Sequence, residues 1–92
     1  MPTLVFSGHA LLRMAQRHVT EEHVRATLSA GDVIESYPDD TPYPSALYLG
    51  VGDGRPLHVV AAHDLVGQRT IVITVYEPDT AAWDATLRRR LP

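Results

Sequence analysis

The chain has no cysteine. Disulfides, thiolate-bound zinc, iron–sulfur clusters and thiol catalysis are therefore excluded, and a reducing compartment fits. It also lacks any apolar run approaching the ~20 residues of a membrane-spanning helix. The opening "MPTLVFSGHA" has no basic stretch before a long apolar one, so no secretory signal is expected and a cytoplasmic location, away from membranes, is predicted. Positive charge is scarce: 8 Lys and Arg stand against 11 Asp and Glu, a net charge of −3. A protein that grips nucleic acid through many phosphates is normally basic. That leaves room only for local patches, formed by Arg13, Arg17 and Arg25 or by Arg88, Arg89 and Arg90. Repeats, low-complexity tracts, HExxH and paired-carboxylate spacings are missing, and "GVGDG" lies between two expected strands rather than between strand and helix. No metal and no cofactor are expected.

What is present is an ordinary globular composition, 45% hydrophobic and 21% charged over 92 residues, enough for one domain. Ser7 is a natural N-cap for a helix over roughly His9–His18. On its wheel Ala10, Leu11, Met14, Ala15 and His18 share one side. His9, Arg13, Gln16 and Arg17 occupy the opposite arc. Thr20 caps a second helix with Glu21 and Glu22 in its first turn, Val24 and Leu28 as its buried stripe, and Gly31 as its stop.

From Val33 the period changes to two. "VIESY", "SALYLGV", "PLHVVAAH" and "TIVITVYE" read as strands joined by a Pro/Asp loop, a tight "GDG" turn and "LVGQ". "PDTAAWDATLRRR" reads as a closing helix capped by Asp79 or Thr80, with Trp83 and Leu87 on its buried side. The expected fold is α+β, in the order α-α-β-β-β-β-α, with a four-stranded antiparallel sheet and the helices on one face. Alternation puts Ile71, Ile73 and Val75 together, opposite Thr70, Val72, Thr74 and Tyr76. The face left open would carry Glu35, Tyr37, Tyr48, His58, Thr74 and Tyr76, an aromatic and titratable surface. Glu35 is read as solvation, and Arg88–Arg90 as a frayed, soluble tail.

Four blocks, "HALLRMAQRHVTEEHV", "AGDVIESYPDDTPYPS", "PLHVV" and "TVYEPDTAAW", resemble a bacterial family of small stand-alone domains of unknown function (DUF4258-like). That family is grouped with RelE-like and barnase/EndoU/colicin-type ribonuclease toxins. The resemblance implies a RelE-like fold and a metal-independent endoribonuclease of toxin type, held in check by a separate antitoxin protein. It places the family's polar positions on His9, Arg13, Arg17, His58, Thr74 and Tyr76.

Those residue types suit the reaction. Cleaving RNA without a metal needs a base for the 2′-hydroxyl, an acid for the departing 5′-oxygen and cations on the phosphate. His58 or His9 can fill either proton role. Arg13 and Arg17 can clamp phosphate oxygens. Tyr76 and Tyr48 can stack bases or relay protons, with Thr74 beside them. The scheme requires the helix cations and the sheet imidazole to share one water-accessible hollow, which happens only if the first helix sits beside the sheet edge. The competing expectation is a non-catalytic interaction module of the same fold, pairing as a homodimer or with another protein. In that case the His/Arg stripe is a solvated helix face and His58 a hydrogen-bonded sheet residue.

Overall fold

The computed structural model describes residues 2–52 and 54–92. Its elements are β1 (Thr3–Phe6), α1 (Gly8–Arg17), α2 (Glu21–Ala30), β2 (Asp32–Tyr37), β3 (Ser45–Gly52), β4 (Arg55–Asp64) and β5 (Arg69–Tyr76). The sheet is five-stranded and mixed, in the order β1-β5-β4-β3-β2. β2 to β5 form the expected antiparallel meander. The fold is thus α+β, but the four-stranded, all-antiparallel expectation is corrected. β1 lies parallel to β5, with Val5 beside Ile71 and Phe6 beside Val72. Its four residues, Thr-Leu-Val-Phe, are too few to show a period, and only pairing with β5 makes them a strand. Asp53, the centre of the expected "GDG" turn, lies outside the described residues.

Both helices begin where their capping residues stand. The Ser7 side chain accepts from the Ala10 N–H, and Thr20 Oγ1 accepts from the His23 N–H. Gly31 does end α2, though by close approach rather than left-handed backbone: a Cβ there would lie 2.4 Å from both the Leu49 and Thr27 carbonyl oxygens. Gly50 is required in the same way, because a Cβ would sit 2.5 Å from Thr27 Oγ1. The left-handed cap belongs to His18 instead, at φ 54°.

α1 packs against β5, and α2 against β3 and β4. Ala10, Met14, Val19 and Val24 meet Leu57, Val59, Val72 and Val75 in a buried apolar core on one face of the sheet. Leu11, expected on the buried side of α1, is more than half exposed, as is Leu12. α1 crosses only the end of the sheet, so a narrower stripe than the wheel suggested is covered.

The expected closing helix is absent. Residues 78–92 form a chain of turns closed by an isolated bridge between Trp83 and Arg90. Asp79 and Asp84 use their carboxylates to cap backbone N–H groups of Ala81, Thr86 and Arg88. Asp side chains that bond nearby backbone favour turns over helix, which explains the departure from the apolar period.

Candidate functional site

Two features place α1 at the sheet edge. β1 ends at Phe6, and the next residue stitches the helix start to β5: the Ser7 N–H donates to the Val72 carbonyl and its hydroxyl to the Ile73 carbonyl. Beside this stitch is a β-bulge. Val60 pairs with Thr74 and Ala61 with Val72, leaving Ile73 as the extra residue. Val72 is thereby turned into the helix-side core with Val75, while Thr74 and Tyr76 face the other way. This corrects the simple alternation, which had set Val72 apart from Val75.

The first helical turn now lies against Thr74. His9 Nε2 and Thr74 Oγ1 share a 3.0 Å hydrogen bond, and the imidazole is exposed. Arg13, one turn on, is half-buried, and Arg17 is exposed. Arg17 lies about 12 Å along the axis from His9, by helix rise. Its carbonyl accepts from Arg55, whose guanidinium also binds the His18 carbonyl and Glu77. Arg55 therefore fastens the far end of α1 to the start of β4 and the end of β5.

His58 and Tyr76 are cross-strand partners on the sheet face away from the helices. That face is not open: residues 78–92 lie across it. His58 is completely buried, with its ring 4.5 Å from the Trp83 ring and 5.2 Å from the Tyr76 ring, both edge-on. Its Nε2–H donates to the Leu87 carbonyl at 2.8 Å, since a carbonyl can only accept. The neutral ring then accepts the Tyr76 hydroxyl at Nδ1, at 3.2 Å. Burial pushes the His58 pKa below its ordinary 6.5, against the opposing pull of the Leu87 carbonyl. Burial likewise raises Tyr76, so its hydroxyl stays protonated.

The single water-accessible hollow expected for Arg13, Arg17 and His58 is not what forms. His9 is exposed beside Thr74 and Arg13 is half-buried one turn on, while His58 stands behind Tyr76 under the closing segment. Glu35 and Arg90 are more than solvated surface. Glu35 accepts from the Tyr37 hydroxyl and pairs with Arg90, whose guanidinium lies 4.7 Å over the Trp83 ring. Tyr37 is the first cause of a lowered Glu35 pKa. Arg88 pairs with Asp32, so this stretch is anchored rather than frayed.

Tyr48 belongs elsewhere. It pairs with Val59 in register and therefore faces the helices, correcting its expected place on the open face. Its hydroxyl bonds His63 Nε2 at 2.7 Å, and His63 Nδ1 stands 3.4 Å from Thr70 Oγ1. These three line a hollow of about 310 Å³ with Leu4, Leu28 and Arg25. His63 carries no sequence signal of a site because its neighbour Asp64 reads as a turn former, which it also is: Asp64 accepts from the Gly67 N–H and pairs with Arg69. Among the described residues no three His, Asp or Glu side chains converge as metal ligands, and no helix is long and apolar enough to cross a membrane.

A two-helix, five-stranded α+β domain with paired His–Thr and His–Tyr contacts on its last strand is the class defined by these features. The chain belongs to the DUF4258 family, a domain of unknown function that it matches over residues 6–77. No curated protein and no solved structure matches it.

Proposed function

We propose that this chain is a metal-independent endoribonuclease acting at the corner between α1 and β5. The observation that carries the reading is the His9–Thr74 hydrogen bond, which fixes an exposed imidazole at a strand edge one helical turn from a half-buried guanidinium. His9 takes the proton of an RNA 2′-hydroxyl. The freed oxygen attacks the adjacent phosphorus, the bond to the 5′-oxygen breaks, and that oxygen takes a proton from solvent water, whose hydroxide the protonated His9 then neutralises. Thr74 orients the imidazole. Arg13 neutralises the crowded phosphate, and Arg17, further along α1, meets the next one. Tyr76 follows Thr74 on the same face of β5 with its hydroxyl on His58 Nδ1, so Tyr76 and His58 both act as positioning residues. Tyr48 has no part in this centre. The grouping of the family with RelE-like and barnase/EndoU/colicin toxins supports the same reading. It brings with it an antitoxin protein as the natural restraint.

The burial of His58, with both ring nitrogens already engaged, favours a second reading: a non-catalytic interaction module, homodimeric or paired with another protein. One assay separates them. Purified protein incubated with mixed RNA in excess EDTA should produce fragments. His9→Ala and Arg13→Ala should each slow cutting about 10²-fold or more while leaving the circular dichroism spectrum unchanged. Intact RNA at every pH from 5 to 8 decides for the module.

A further inference from the structure

The sheet face under residues 78–92 has a chemistry of its own. Leu47 and Leu49 form its buried floor, His58 and Tyr76 one wall, and the carboxylates of Asp32 and Glu35 its far rim on β2. What covers it is complementary in each respect. Trp83, only 4% exposed, is the apolar anchor against His58. Leu87 offers a carbonyl to the imidazole, and Arg88 and Arg90 meet Asp32 and Glu35.

The cover and the face are also separable. The family match ends at residue 77, just before the cover begins. The cover has no helix or strand of its own, its Arg88–Asp32 pair is solvent-exposed and weak, and the arginine of its Arg90–Glu35 pair is exposed. Uncovered, the face would present two carboxylates beside an aromatic slot. That charge repels RNA phosphate and attracts a basic peptide.

We propose that this face is a docking surface for a cationic peptide segment carrying an aromatic anchor, and that the chain's own residues 78–92 occupy it in cis. The partner is a protein whose segment offers an aromatic side chain followed by paired arginines. This goes beyond ribonuclease activity and does not depend on it.

The test uses the full chain and a labelled synthetic peptide of residues 78–92. Trp83 is the chain's only tryptophan, so its emission reports the cover directly. Arg88→Glu with Arg90→Glu should shift that emission to the red. The labelled peptide should then bind this variant about tenfold or more tightly than the native chain, whose face is already filled. Adding Asp32→Lys and Glu35→Lys restores complementary charge in cis, so emission returns to the blue and peptide binding is lost. Unchanged emission in the double variant overturns the proposal, as does a red-shifted variant that ignores the peptide or takes an RNA oligonucleotide in its place. Should charge reversal unfold the chain, Arg88→Ala with Arg90→Ala is read by the same criteria. None of these readouts involves RNA cleavage, so failure here and failure of the nuclease reading are told apart.

Discussion

The two faces of the sheet are held by different physics. Toward the helices, Leu57, Val59, Val72 and Val75 pack without a polar side chain among them against Ala10, Met14 and Val24. Toward residues 78–92, a buried histidine, two tyrosines, a tryptophan and two Arg–carboxylate pairs do the holding. The aliphatic face draws on area removed from water, which is insensitive to pH and is not screened by salt. The other adds to its apolar floor of Leu47 and Leu49 hydrogen bonds and charges, which respond to both. One face is therefore suited to keeping the fold together, and the other to letting something come and go.

The contrast can be broken by mutation. Leu57→Ala opens a cavity in the aliphatic core and should lower stability by about 2–5 kcal/mol in urea titration. His58→Ala leaves the Leu87 carbonyl and Tyr76 hydroxyl without their partner and should lower it by about 1–3 kcal/mol. A loss at His58 equal to that at Leu57 would mean that the two faces are equally structural.

Acid sharpens the same distinction. His58 is held below 6.5 by burial, so between its folded and unfolded values the unfolded chain binds more protons. Stability is then fully present above about pH 7 and falls as pH drops below 6.5, and His58→Gln should flatten that limb. Glu35, lowered from 4.5 chiefly by the Tyr37 hydroxyl, gives up its contribution only in a separate, more acid limb. A single acid transition unaffected by His58→Gln would contradict this assignment. The smallest effect belongs to Arg88→Ala, expected to change stability by less than about 1 kcal/mol because its partner is exposed, with most of that loss gone in high salt.

Much of the architecture can be read locally. Ser7 and Thr20 mark both helix starts, and period-two stretches mark four strands, because caps and alternation are set by residues close together in the chain. The helix-side core is legible except at the bulge. One additional residue in β5 reverses the sidedness of everything beyond it, and no residue type announces it. The closing segment misleads for a related reason. Trp83 and Leu87 have helical spacing, but Asp79 and Asp84 cap turns, and the tryptophan finds its partner in His58 on a distant strand.

Candidate chemistry divides along the same line. His9, Arg13, Arg17, His58, Thr74 and Tyr76 stand out by type and by resemblance, and their two direct pairings, His9 with Thr74 and His58 with Tyr76, appear only in three dimensions. Arg90 and His63 give no local signal, and neither does the Glu35 ion pair, since each acquires its partner through strand register or the path of residues 78–92.

By itself the sequence determined an α+β fold without cysteine chemistry, its helix caps, four of its strands and the family to which it belongs. Only the tertiary structure decided that β1 joins the sheet, that Tyr48 faces the helices, and that His9 is in water while His58 is not. Caps and alternation act over a few residues of chain, whereas burial depends on which distant segments come to lie on a face.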